Sequence, residues 1–167
     1  MKKRRWLIYI AVGILFGVFD FYYPDILDFS FHPRFGGHVI GFALNFGIWL
    51  VPAISIIIYE AKVSRSRVLP ALASSLTWCI SVIFYYLTNV VQLLIGISTM
   101  PELRISNHKF PFFWSNWENE LNYILWSTLE WIVAAIISGF IIGFLVSFIY
   151  LFVRGSKNRQ HRKTECT

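Results

Sequence analysis

Charge is what this sequence has least of. Only 14% of its 167 residues are Asp, Glu, Lys or Arg, while 56% are hydrophobic, and a chain of this size with so little polar surface cannot cover itself in water. A soluble globule is excluded. From 131 to 153 no formally charged residue occurs at all. Cysteine is equally scarce: Cys79 falls inside an apolar run and Cys166 in the C-terminal tail, so the two are not expected to meet in an oxidising compartment as a structural disulfide. The ending "ECT" is no prenylation signal. The sequence also lacks G-x-S-x-G, H-E-x-x-H, a Walker A loop, G-x-G-x-x-G, glycosylation sequons and internal repeats. These absences leave the catalytic residues and any cofactor unassigned, and no metal site is assigned.

What is present is apolar sequence in lengths that match a bilayer. Four runs stand out, over 6–23, 37–59 and 70–97, with a fourth ending at Val153. Each approaches the roughly 20 residues that a helix needs to cross about 30 Å of hydrocarbon, the first being short and carrying Asp20 inside it. The expected fold is an all-α membrane protein of four transmembrane helices, a single domain over 1–153 followed by a basic tail over 154–167. The basic start "MKKRR" has no small-residue cleavage site after its apolar run, which reads as a retained anchor.

Basic residues set the expected orientation. Twelve of the fifteen Lys and Arg lie before the first run, between the second and third, or after the fourth, leaving Arg34, Arg104 and Lys109 on the other side. By the positive-inside rule both termini are cytoplasmic, in a cell membrane. The formal charge of +6 is then explained by topology and anionic headgroups. The lipid bilayer is the expected partner, and nucleic acid is not.

Two segments are expected on the outward side. "PDILDFSFHPRFG" is read as a short loop, whereas the stretch before the fourth run is long and crowded with Phe and Trp. Trp114, Trp117, Trp126 and Trp131, with Tyr22 and Tyr23, have the character of an interfacial aromatic belt. Ser115 and Glu118 have capping-box spacing, which predicts a helix start near Asn116. From there to Val153 is about 57 Å at the α-helical rise, so an interfacial segment or a bend is expected before the span proper.

Polar and small residues recur at helical spacing within the runs. The first offers Tyr9, Gly13, Gly17 and Asp20; the second His38, Gly41, Asn45, Pro52, Ser55 and Tyr59; the third Ser74, Trp78, Ser81, Tyr85, Thr88 and Gln92, with Asn89 beside them. Such stripes face other helices rather than lipid. In the fourth run, Ala135, Gly139, Gly143 and Ser147 form a small-xxx-small stripe for close helix contact, nearly opposite Glu130. With two such faces, one is expected to pack in the bundle and the other to meet a second copy or a larger membrane partner.

Seven of the nine acids fall on the outward side, leaving Glu60 and Glu165 inside. Glu130 is about 34 Å from Val153 along a helix, near the outer hydrocarbon boundary, and His38 and Gln92 come to similar levels in their own runs. The residues expected to line a polar path or its vestibule are Asp20, His38, Asn45, Tyr85, Asn89, Gln92 and Glu130, with Pro52 removing a backbone hydrogen bond beside the path. The expected function is a small, non-enzymatic transport or accessory subunit with a polar path or pocket between the second and third helices. Two alternatives stay open: a membrane enzyme acting at the outer interface on a lipid or lipid-linked substrate through carboxylate and histidine groups, and a structural or assembly partner of a larger complex.

Overall fold

In a computed structural model the described residues are 2–30, 47–95 and 100–164. They form four α-helices and no strand: α1 (Lys2–Ser30), α2 (Leu50–Ser64), α3 (Val68–Ile95) and α4 (Phe113–Thr164). Two short 3-10 turns, Pro101–Leu103 and Ile105–Asn107, lead into α4. Four stretches are long and apolar enough to cross a membrane: Arg4–Pro24 in α1, Gly47–Ser64, which takes in α2 and the turn before it, Val68–Ile95 in α3 and Phe113–Gly155 in α4. By length and composition the chain is a multi-pass membrane protein.

The helices alternate in direction. Arg5 of α1 meets Glu60 of α2, and the Ser147 hydroxyl of α4 reaches the Arg67 carbonyl just before α3. These contacts share one end of the bundle, here the basic end. At the opposite end, Gln92 of α3 donates to the Tyr22 hydroxyl of α1, and Leu93, Leu103, Phe113, Trp117 and Ile124 pack as one cluster. Trp117 fixes the 3-10 turns there by donating its indole N–H to the Leu103 carbonyl at 2.9 Å.

The centre of the bundle is α3. Half of its apolar window is buried inside the molecule, against 22–28% for the other three spans. Small residues on its neighbours explain the difference. Gly13 and Gly17 make a G-x-x-x-G face on α1, and a Cβ added at Gly17 would lie 2.3 Å from the Ser81 carbonyl oxygen. Gly139 and Gly143 make a second such face on α4, where a Cβ at Gly143 would lie 2.6 Å from the Ala71 Cα. Only glycine lets the backbones come so close. Hydroxyls on α3 cross both seams: Ser81 donates to the Gly13 carbonyl and Ser75 to the Ile136 carbonyl, each at 3.1 Å. Ala135 and Ser147 are buried on the same face of α4 as the glycines. The small-residue stripe therefore lies against α3 of the same chain.

Several element boundaries differ from those read in the sequence. Residues 24–30, expected as loop, continue α1 despite Pro24, whose fixed φ is helical although it forgoes a bond to the carbonyl four residues earlier and its ring crowds that oxygen. The second run is broken. Gly47 is helical, 48–49 form a turn, and α2 begins at Leu50. Pro52 explains the break: it cannot donate to the Ile48 carbonyl, its ring crowds that oxygen, and Val51 N–H takes the oxygen instead at 3.2 Å. The freed carbonyl is thus captured locally.

The start of α4 also differs from expectation. It begins at Phe113, and Asn116 N–H already donates to the Phe112 carbonyl at 3.0 Å, so Ser115 lies inside the first turn and is not a cap. The helix runs without interruption from Phe113 to Thr164, so the aromatic stretch from Phe113 onward and the span proper belong to one element. Between α2 and α3 the chain reverses at Arg65, held left-handed at φ 51 with its N–H on the Ala61 carbonyl.

Candidate functional site

Towards the end of the bundle opposite the basic one, the four helices leave a cleft of about 750 Å³. The two glycine seams hold α1 and α4 against α3, and the Pro52 break turns Trp49 into the remaining space. Asp20 and Pro24 of α1 line the cleft, with Trp49 and Leu50 at the head of α2, Trp78, Val82, Tyr85 and Tyr86 of α3, and Trp131, Ala134, Ala135 and Ser138 of α4. Its volume falls in the range of small-molecule sites. The cleft therefore draws on all four helices rather than on the second and third alone.

Aromatic rings dominate its walls. Trp49 and Trp78 meet edge to face, with centroids 6.0 Å apart and planes at 89°; Tyr85 and Tyr86 stand at 5.3 Å and 77°. Rings set at right angles present a face and an edge to the same space. Tyr85 also packs on Phe21 of α1.

Among the described residues the one carboxylate lining the cleft belongs to Asp20, only 7% exposed. The Trp49 indole, a neutral group, is its polar neighbour on the cleft wall. Among the described residues no Lys, Arg or His lies within ion-pair distance of it. Pro24, one turn further on, has no N–H to offer the Asp20 backbone carbonyl. A charged carboxylate in such surroundings is expensive unless a cation joins it.

A second buried carboxylate sits at the basic end. Glu60 is 4% exposed; Arg5 Nη1 lies 3.1 Å from both of its oxygens, and the Tyr9 hydroxyl donates to Oε2. Both partners come from α1, four residues apart and hence on one helix face. This triad ties α1 to α2 and leaves Glu60 paired and hydrogen-bonded.

Of the residues expected along a polar path, the structure brings Asp20 and Tyr85 together in the cleft. Gln92 is engaged with Tyr22, Asn89 is half-buried away from the cleft walls, and Glu130 is exposed, one turn from Ala134. His38 and Asn45 lie outside the described residues. Sequence reasoning missed the Arg5–Tyr9–Glu60 triad. The available signal was an acid bordering an apolar run on the side where bases collect, together with Arg5 and Tyr9 at i, i+4 spacing. It also missed Trp49, Tyr86 and Trp131 as cleft walls, since an aromatic residue in an apolar run looks alike whether it faces lipid or a cavity.

Among the described residues no group of three or more His, Cys, Asp or Glu side chains is placed to hold a metal ion. Comparison with family models, with curated proteins and with solved structures gives no match.

Proposed function

We propose that the protein is a small transport or accessory subunit of a membrane system, binding a small solute or amphiphile in the cleft between its four helices. The observation that carries this reading is a cavity of solute size, walled by aromatic side chains, with one buried carboxylate and no basic partner for it among the described residues. Packing alone does not require such a space, because apolar helices close against one another when nothing must fit between them. In this reading the membrane is the cell membrane, both termini are cytoplasmic, and the cleft opens in the outward half. The basic residues support that orientation through the positive-inside rule.

Reconstituted proteoliposomes provide the test. Uptake or retention of a labelled solute by the protein, with no conversion of a lipid extract by the same preparation, supports the reading. Turnover of the lipid extract without solute retention replaces it with the interfacial enzyme. Orientation is tested separately in a background with Cys79 and Cys166 replaced by serine. Ser66→Cys should be shielded from an impermeant thiol reagent in intact cells while Ser106→Cys, at an exposed position, reacts. The opposite pattern reverses the topology.

A further inference from the structure

The cleft's chemistry narrows what it takes. A buried carboxylate selects for a positive partner, and its Trp49 neighbour supplies a neutral donor rather than a counter-charge. The walls point the same way. Ring faces carry negative quadrupole potential, and a cation lying against several of them in a site shielded from water is attracted more strongly than in solution. A hydrated inorganic ion would gain little, because these walls offer few oxygens to replace its water shell. An organic cation is already weakly hydrated and brings apolar surface that the rest of the cleft can cover.

We infer that the cleft binds an organic ammonium ion bearing an apolar group, with Asp20 as its counter-charge and Trp49, Trp78, Tyr85 and Tyr86 as its walls. The inference rests on the proposed reading of the cleft as a solute site. Such an ammonium group occurs both in free amines and in aminophospholipid headgroups, and the two share the chemistry that the cleft recognises.

The test is calorimetric titration of the full chain in phosphatidylglycerol nanodiscs, with the heat of empty discs subtracted. Two probes of similar size differ in charge: 2-phenylethylammonium and neutral 2-phenylethanol. The expected result is at least roughly tenfold tighter binding of the ammonium ion. Asp20→Asn should bring the two probes to near parity, Asp20→Glu should retain a preference for the cation, and Ser138→Trp, which fills the cleft from α4, should abolish both. Equal binding of the two probes by the unaltered protein, lost in Ser138→Trp, overturns the ammonium inference and leaves the solute site standing. Binding of either probe that survives Ser138→Trp places it outside the cleft and overturns the inference, as does an absence of heat from both. Because the comparison of probes is made first on the unaltered protein, poor folding of a variant does not decide the matter. Replacing half the lipid by phosphatidylethanolamine separates the two sources. Competition assigns the ammonium group to a headgroup, and its absence assigns it to a free amine; both outcomes support the inference.

Discussion

Glu60 and Asp20 are both carboxylates buried in apolar helices, 4% and 7% exposed, yet their surroundings are opposite. Glu60 meets a guanidinium and a phenol that approach from one face of α1. Asp20 meets an indole and an open cleft. Similar burial therefore has two meanings. Where protein groups satisfy the charge, the acid joins helices; where none among the described residues does, it borders open space.

The sharpest way to break this comparison is to make Glu60 resemble Asp20. Arg5→Ala leaves Glu60 buried without its cation, and the expected cost is about 3 kcal/mol of stability, read as a lowered thermal midpoint in detergent. Adding Glu60→Gln to that variant should recover part of the loss, because the stranded charge is gone. A double variant no more stable than Arg5→Ala would show that the pair is incidental.

Next in size is Gly17→Ala, which tests whether α1 is held against α3 by the glycine seam between Tyr9 and Asp20. The added methyl meets the Ser81 carbonyl, and such overpacking should cost about 2 kcal/mol. Gly155→Ala, where a Cβ meets open space, should leave the midpoint unchanged or slightly raised. Tyr9→Phe removes one hydrogen bond to a buried carboxylate and is expected to cost about 1.5 kcal/mol in the same melting assay.

Among the substitutions of polar side chains Asp20→Asn should have the smallest effect on stability, within about 1 kcal/mol of the unaltered protein in either direction, since no ion pair among the described residues is lost. A collapse as large as that of Arg5→Ala would show that Asp20 carries the fold and would merge the two cases.

The four helices were legible because 18 or more apolar residues in a run have few other uses. The buried stripe of α1 was legible as well: Tyr9, Gly13, Gly17 and Asp20 recur every three or four residues, and all four are buried. The Glu60 pairing was not, because its partner lies 55 residues away and no local pattern encodes which helix will lie beside which. Depth along a helix could be counted for Glu130, but whether that turn had a neighbour to face could not. The spacing of Ser115 and Glu118 misled for a related reason. A capping box marks a start only if the preceding residues are not already helical, and the turns through Phe110 and Phe112 had begun the winding earlier.

The glycine seams also limit how the molecule can deform. With a carbonyl of α3 seated against Gly17 and its Cα trace against Gly139 and Gly143, sliding α3 by one residue, about 1.5 Å, would drive side chains into gaps that hold none. Rotating it would do the same. Three of the four helices thus behave as one stiff frame. The element held without a glycine seam is α2, which packs on α3 and α4 through Ala53 and Ile57 and is tied to α1 at the basic end by Arg5 and Glu60. Among the described residues, α2 is thus the wall of the cleft that no glycine seam fixes, and its position rests on the packing of Trp49, Ala53 and Ile57 against α3 and α4.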